Sequence, residues 1–246
     1  MVRLGRTSFE VGRFVLGCAP LAGLYSEVGE GDPRAGMEPR RARLRHSTAL
    51  RRRPFRAPPR LVPRRPAARR GRAVDQGRPV PALAELRAAG AVGAIGAGMN
   101  NCPPLERIVE EIDVDLVRVA GRYNLLDQEA AHRLPPLCAE RGVAVLVAGV
   151  FASEVLARPG PNAHFRYAPA SAEVLERTEQ IREVCHRHGV ALPAAAMQLP
   201  LRHPAVTAVV VGARSAKEVA EDLAYFTTEV PEALYAELRD LGLVEA

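Results

Sequence analysis

The chain has 246 residues, 48% of them hydrophobic, which is enough for one α/β barrel-sized domain or two small domains with a real core. Its net charge of +6 hides two parts of opposite sign. Residues 34–80 hold 16 arginines against Glu38 and Asp75, a net +14, which leaves −8 for the rest of the chain. An acidic body disfavours a nucleic-acid-binding domain. The N-terminus has no apolar signal-peptide segment, and no apolar run is long enough to cross a membrane.

The four cysteines, Cys18, Cys102, Cys138 and Cys185, are scattered and form no C-x-x-C pair. We therefore expect reduced and mostly buried thiols in a cytoplasmic protein. The histidines have no metal-like spacing, so no metal site is predicted.

Apolar patterning predicts alternating strands and helices. Strands are expected at residues 14–18, 92–99, 115–121, 143–151 and 205–212, and helices at 81–90, 105–112, 128–141, 171–188, 215–224 and 231–241, with a further helix start near 194–199. Ser215 with Glu218 three residues later is a capping box. Apolar, β-branched strands joined by short connections predict a parallel sheet covered by outer helices, an α/β fold.

The run of residues 34–80 interrupts this pattern, because arginine and proline dominate it and apolar periodicity is almost absent. We predict a disordered Arg/Pro-rich segment there, between a first strand and loop in residues 1–33 and (β/α) units in residues 81–246. Four strand–helix units follow the run and one strand precedes it. A complete eight-unit TIM barrel needs about 250 residues by itself, so the barrel is predicted to be incomplete.

Five stretches, taken in chain order, resemble one family. They are LGCAPLAGLYSEV (16–28), AIGAGMNN (94–101), AGRYNLLDQ (120–128), CAERGVAVLVAGVF (138–151) and VVVGARSAKEV (209–219). Together they are similar to the aldo/keto reductases, and within them to the D-threo-aldose (L-fucose) dehydrogenase branch. The similarity covers residues 1–33 and 79–246.

The resemblance implies an incomplete (β/α)8 TIM barrel that binds NAD or NADP at the C-terminal ends of its strands. It implies hydride transfer that oxidises aldose sugars such as L-fucose or reduces carbonyls, so the partner is a small sugar or carbonyl compound. It also implies cofactor contacts. Asn100 would contact the nicotinamide carboxamide, Gly212, Ala213, Arg214 and Ser215 the adenosine phosphate, and Glu218 and Asp222 the adenine.

The chemistry of these residues agrees with that assignment in part. Arg214 offers a bidentate fork, and Ser215 begins a helix whose N-terminus suits an anion. Asp222 stands where relatives have Asn, which removes a donor and adds charge. Two other readings stay open, because Arg214 could be a solvated surface residue and Asn100 could cap the following helix.

The family's catalytic motifs are missing from the translated chain. Its Asp lies in F-D-T-A, its Tyr in Y-G-x-G-x-S-E, its Lys in S-T-K-V-G-R and its His in a later strand, and none of these occurs here. Lys217 is the only lysine and belongs to the helix after the phosphate loop. We therefore assign no catalytic residue and predict little or no turnover.

Backward translation indicates that the missing motifs can be encoded in a shifted reading frame of residues 34–80. Codons that can encode residues 44–51, read one base out, permit F-D-T-A-P-L-Y, and those for residues 74–80 permit S-T-K-V-G-R. We hypothesise that residues 34–80 are a frameshifted translation of the second and third barrel strands, followed by an internal deletion that removes the His strand. The alternative is a non-enzymatic barrel remnant with a basic arm that binds polyanions or nucleic acid.

Overall fold

The computed structural model describes residues 1–17 and 80–245, and its centre is a five-stranded parallel sheet. The strands lie in the order β3 (Phe14–Gly17), β9 (Val206–Gly212), β6 (Ala144–Ala148), β5 (Leu116–Ala120) and β4 (Gly96–Met99). Each strand pairs in parallel with its neighbour, for example Val117 with Val145 and Val147 with Val209. Apart from β3, the strands lie in chain order across the sheet, as in a continuous sector of a barrel.

Helices connect the strands. They are α1 (Val80–Ala88), α2 (Cys102–Glu111), α3 (Leu134–Arg141), α4 (Ala172–Arg187), α5 (Leu192–Gln198), α6 (Ala216–Thr227) and α7 (Glu232–Asp240), with 3-10 turns at Glu129–His132 and Leu199–Arg202. Two short antiparallel ribbons complete the described residues, β1 (Val2–Arg3) with β2 (Glu10–Val11) and β7 (His164–Phe165) with β8 (Ala168–Pro169).

The two faces of the sheet differ in what they contact. Val117, Val119 and Val145 are fully buried against the helices, together with Val147 and Val209. The alternate positions of β5 point the other way, and Arg118 among them is exposed. The core therefore lies between the sheet and its helices, with a second cluster formed by α4, α5 and α7.

Buried Asp115 connects α1 and β4 at the N-terminal ends of the strands. Its carboxylate accepts a hydrogen bond from the backbone N–H of Ile95 at 2.9 Å and pairs with Arg87 of α1 at 2.8 Å. Gly142, which ends α3 with φ +66°, takes the left-handed conformation that the sequence predicts at that helix stop. These contacts hold α1 and the start of β4 in register, so the loops at the opposite edge project from a rigid base.

The predicted order of strands and helices is confirmed, although several bounds differ, as in β4, which was predicted over residues 92–99 and begins at Gly96. Two elements differ by more than their bounds. Residues 128–141 were predicted as one helix, but a 3-10 turn and α3 share them, because Pro135 and Pro136 begin a new helix and cannot continue an old one. The β7–β8 hairpin was not predicted, since its strands have only two residues each. The disorder predicted for residues 34–80 lies outside the described residues, except that Val80 begins α1.

Among residues 1–17 and 80–245, no helix is both long and apolar enough to cross a bilayer.

Candidate cofactor site

The carboxyl ends of the parallel strands bring four loops to one edge of the sheet. They follow Met99 of β4, Ala120 of β5, Ala148 of β6 and Gly212 of β9. In open and closed parallel α/β sheets, this edge is where ligands bind. The site residues predicted from the sequence lie at the end of β9, in one of these loops or in the helix after it.

The loop after β9 presents Arg214 and Ser215 at the start of α6. Gly212 is the last residue of β9 and pairs with Gly17 of β3, and Ala213 is buried. The Ser215 side chain is the N-cap of α6, where its Oγ accepts a hydrogen bond from the N–H of Glu218 at 3.2 Å. The remaining N–H groups of the first helical turn make an anion-binding position there.

Glu218 binds two arginines across this loop. Its carboxylate accepts hydrogen bonds from Arg214 Nη2 at 2.8 Å, from the Arg214 backbone N–H at 2.7 Å and from Arg158 at 3.1 Å. Burial works to raise the pKa of Glu218, but the hydrogen bonds from Arg214 and Arg158 outweigh it and lower the pKa to about 2. The predicted capping box is thus half present, because Glu218 reaches the N–H of Arg214 and not that of Ser215.

Asp222 lies one turn further along α6 and is buried, with 8% of its surface exposed. Burial raises the pKa of its carboxyl to about 6, and the charges of Glu218 and Glu221 act in the same direction. A carboxylate at this position therefore costs free energy near neutral pH.

Asn100 follows β4 and is exposed at the same edge. Its backbone carbonyl accepts a hydrogen bond from Arg122 Nε at 2.9 Å. The alternative reading, in which Asn100 caps the next helix, is wrong, because Asn101 is the N-cap of α2 and makes no side-chain capping bond. The Asn100 side chain therefore has no capping role in α2.

Asp127 is a site residue that the sequence reasoning missed. This buried carboxylate pairs through Oδ2 with Arg122 at 3.3 Å and with Arg166 at 2.5 Å. Its other oxygen accepts a hydrogen bond from the N–H of Glu129 at 3.2 Å. The stretch AGRYNLLDQ contains both Arg122 and Asp127, but nothing in that pattern shows that Arg166, 39 residues later, binds the same oxygen.

Groups for proton transfer are not assembled among the described residues. Burial raises the pKa of the Tyr123 and Tyr235 phenols, and Tyr235 donates its hydrogen bond to the carbonyl of Ala195. Lys217 is exposed on α6 and pairs with Glu221 at 3.7 Å. No tyrosine of the described chain is therefore paired with a lysine.

Three of the four cysteines lie among the described residues, and all three are buried. Burial raises the pKa of the Cys102 and Cys185 thiols to about 11 and that of Cys138 to about 12, so these three are inert hydrophobes at neutral pH. Within residues 1–17 and 80–245, no group of three or more His, Cys, Asp or Glu side chains is placed to hold a metal ion.

Comparison with known proteins agrees with this geometry. The model of the aldo/keto reductase family matches residues 72–242, which is more than half of the chain. The chain belongs to the aldo/keto reductase family. The family predicted from the sequence motifs is thereby confirmed, and with it the sector of a (β/α)8 barrel.

Two dehydrogenases are among the similar curated proteins. Pyridoxal 4-dehydrogenase from Microbacterium luteolum is 42% identical over 164 residues, which cover 66% of this chain and 48% of that protein. D-threo-aldose 1-dehydrogenase from Pseudomonas sp is 40% identical over 166 residues, which cover 67% of this chain and 50% of that protein. The chain thus spans about half the length of these aldo/keto reductase relatives.

A solved structure shows the same fold. The aldo-keto reductase AKR11C1 from Bacillus halodurans, in its holo form, superimposes with a TM-score of 0.56 at 21% identity. The match covers 68% of this chain and 56% of that one. The partial coverage agrees with a sheet that represents five of the eight strands of a complete barrel.

Proposed function

We propose that this chain is the cofactor-binding part of an NAD(P)-dependent aldo/keto reductase that acts on sugars or small carbonyl compounds, and that the chain itself turns over little substrate. The observation that supports cofactor binding is the loop of residues 212–215, in which the Arg214 fork and the first turn of α6 lie together after β9. A guanidinium beside free N–H groups at a helix N-terminus suits a phosphate group.

The residues at this edge fit an NAD(P) molecule unequally. Arg214 keeps part of its guanidinium accessible, with 40% of the side chain exposed, so it can bind a phosphate while Glu218 holds its other edge. Asp222 suits an adenine amino group but not a ring nitrogen, because a carboxylate only accepts hydrogen bonds unless it is protonated. The bound cofactor would accept the hydride when a sugar is oxidised and supply it when a carbonyl is reduced, and the chain's own residues would bind and orient it.

Low turnover follows from the groups that the chain lacks. A phenol whose pKa lies near 10 needs a neighbouring cation to exchange protons at neutral pH. Lys217 is the only lysine in the whole sequence, and it lies on the exposed side of α6 in an ion pair with Glu221. The one lysine of the sequence is therefore engaged by a carboxylate on α6, which supports low turnover.

The substrate class rests on the family and the relatives. L-fucose and other D-threo-aldoses are the sugars that the sequence resemblance favours, and one relative is named for pyridoxal. We therefore expect any residual activity to be the oxidation of an aldose sugar or of pyridoxal.

Titration of the purified chain with NADPH and NADH, followed by cofactor fluorescence, tests the proposal. Arg214→Gln should weaken NADPH binding by roughly tenfold or more, because a charge-assisted hydrogen bond is lost. Arg182→Gln is the matched control, since Arg182 is likewise an exposed arginine paired with a nearby glutamate, Glu179, but lies in α4 and away from the phosphate loop. Absence of binding at millimolar cofactor would refute the binding proposal, and robust NAD(P)-dependent oxidation of L-fucose would refute the low turnover.

A second candidate function is supported by the charge of the chain. The net +14 of residues 34–80 could make this part a polyanion-binding arm on an otherwise acidic barrel remnant. Binding of duplex DNA that weakens steeply between 50 and 200 mM salt, as expected for the release of about six or more counterions, would favour it. Cofactor binding without DNA binding would refute it.

A further inference from the structure

Three loops at the carboxyl edge of the sheet meet at one buried carboxylate. Asp127, which follows β5, is 9% exposed, and its Oδ2 binds arginines from two different directions. Arg122 lies two residues past the end of β5 and also donates a hydrogen bond to the carbonyl of Asn100, the first residue after β4. Arg166 comes from the tip of the β7–β8 hairpin, which belongs to the loop after β6.

The hairpin tip has a conformation that side chains rarely adopt. Arg166 and Tyr167 are the two turn residues, with φ of +50° and +66°, positions where glycine or asparagine is usual. Such a backbone persists only where other contacts hold it. Those contacts are the ion pair of Arg166 with Asp127, the stacking of its guanidinium 5.2 Å from the Phe165 ring, and the hydrogen bond from the Tyr167 N–H to Ser153 Oγ at 3.2 Å.

The carboxylate is itself rigidly placed. The Asn124 side-chain oxygen accepts hydrogen bonds from the N–H groups of Leu126 and Asp127, and the backbones of Asn124 and Asp127 pair with each other. Asn124 is fully buried. These hydrogen bonds hold the Asp127 backbone in place without the arginines. The position of its carboxylate therefore determines where Arg122 and Arg166 bind.

We propose that Asp127 is a positioning residue that fixes the hairpin after β6 and the Asn100 end of β4 relative to each other, and thereby orders the cofactor site. The inference rests on the proposed NAD(P) binding at this edge. It assigns a role to a carboxylate that would not touch the cofactor and acts through Arg122 and Arg166. The two arginines are not equally dependent on it, because Arg122 also pairs with Glu129 at 3.1 Å.

The different dependence of Arg122 and Arg166 on Asp127 predicts which loop becomes more mobile when the carboxylate is removed. Asp127→Asn keeps Oδ1 as the acceptor for the N–H of Glu129 but replaces the charged Oδ2 with an amide donor that faces two guanidinium groups. Arg166 then loses its only carboxylate among the described residues, whereas Arg122 retains Glu129. The hairpin should therefore loosen more than the end of β4.

Hydrogen–deuterium exchange of the full chain, combined with NADPH titration, tests the inference. In Asp127→Asn, the amides of residues 165–168 and 170 should exchange about tenfold faster or more and those of residues 100–101 should also exchange faster, as expected when an ion pair that joins two segments through a buried carboxylate is broken. NADPH should bind about tenfold more weakly. Glu129→Gln is the matched control and should leave the exchange of residues 165–170 unchanged.

The surface variants keep the test decisive if Asp127→Asn folds poorly. Arg166→Gln, at a side chain that is 55% exposed, should reproduce the faster hairpin exchange, and Arg166→Lys should restore part of the protection. In the double variant of Asp127 and Arg166, hairpin exchange should be no faster than in Asp127→Asn alone, because both changes remove one interaction.

The outcomes separate this inference from the proposed function. If the wild-type chain binds no NAD(P)H, the proposed function fails, and the exchange data alone decide the role of Asp127. Faster exchange confined to residues 122–131, or additive effects in the double variant, would overturn the coupling. Unchanged NADPH affinity in Asp127→Asn, against a wild type that binds, would overturn the link to the cofactor site.

Discussion

At the scale of single residues, the most unfavourable group at the candidate site is Asp222. Its carboxyl is buried on α6 near Glu218 and Glu221, and burial raises its pKa from 3.8 to about 6. The unfolded chain does not share this shift, so ionised Asp222 destabilises the folded state above pH 6. The penalty shrinks as the pH falls through 6 and is gone below about 3.8, where both states are protonated.

Asp222→Asn should therefore stabilise the protein near neutral pH and restore the amide that relatives have there. We expect a gain of about 1–2 kcal/mol at pH 7.5, or roughly 3–6 °C in Tm, that disappears near pH 4. Thermal unfolding of the wild type and of Asp222→Asn between pH 4 and pH 7.5 measures this gain. Asp240→Asn, at an exposed position near the end of α7, is the control and should show no such pH-dependent gain. A gain that persists at pH 4 would contradict the proposed cause.

At the scale of elements, the edge strand β4 depends on residues without side chains. A Cβ on Gly96 would lie 2.2 Å from the backbone oxygen of Leu116 in β5, a contact that only backbone movement can relieve. A Cβ on Gly98 would lie 3.1 Å from Arg118 Nε, the end of a flexible side chain. The two positions therefore differ in how well they tolerate a side chain, although the sequence does not distinguish them.

Gly96→Ala and Gly98→Ala form a matched pair on the same strand. We expect Gly96→Ala to lower the free energy of unfolding by about 2–3 kcal/mol through strain between β4 and β5, and Gly98→Ala to change it by less than about 1 kcal/mol. Denaturant unfolding of both variants measures the difference. Equal losses in the free energy of unfolding would contradict the prediction, because they would mean that the Leu116 backbone shifts as easily as the Arg118 side chain.

The serines that begin α4 and α6 make a second matched pair. Ser171 caps α4 through the N–H of Val174, and Ser215 caps α6 through the N–H of Glu218. Replacement of either serine by alanine should cost about 1 kcal/mol of stability. NADPH affinity should fall only in Ser215→Ala, because only α6 begins at the candidate phosphate loop. If Ser171→Ala also lowered the NADPH affinity, the loss in Ser215→Ala would reflect lower overall stability and not a contact at the phosphate loop.

At the scale of the whole molecule, charge and topology agree with the hypothesis of an interrupted barrel. The described sheet has five parallel strands, against eight in a complete barrel, and the part of the chain between β3 and β4 holds the +14 run. The body outside that run has the opposite sign, −8. A family barrel into which a frameshifted stretch was translated would have both properties, since misread GC-rich codons yield arginine, proline and alanine.

Resequencing of the coding DNA tests the frameshift hypothesis. We expect the shifted frame of residues 44–51 to encode F-D-T-A-P-L-Y and that of residues 74–80 to encode S-T-K-V-G-R. Codons that support the Arg/Pro run and do not encode these motifs in the shifted frame would contradict it. Restoration of the frame and of the deleted His strand should return NAD(P)-dependent turnover, because the family's proton-transfer residues would then be present.

The sequence by itself determined the family, the order of strands and helices, and the loop that begins α6. These depend on local patterns, such as β-branched strands, the Ser215 cap and the Gly142 stop, which neighbouring residues decide. Only the tertiary structure decided how the loops meet. Whether Arg166 joins Arg122 at Asp127 depends on the distance between segments far apart in the chain, which no periodicity in the sequence encodes. Whether Glu218 reaches Ser215 or Arg214, and whether Asn100 or Asn101 begins α2, depend on the backbone geometry of the loop before each helix, which the residue types alone do not determine.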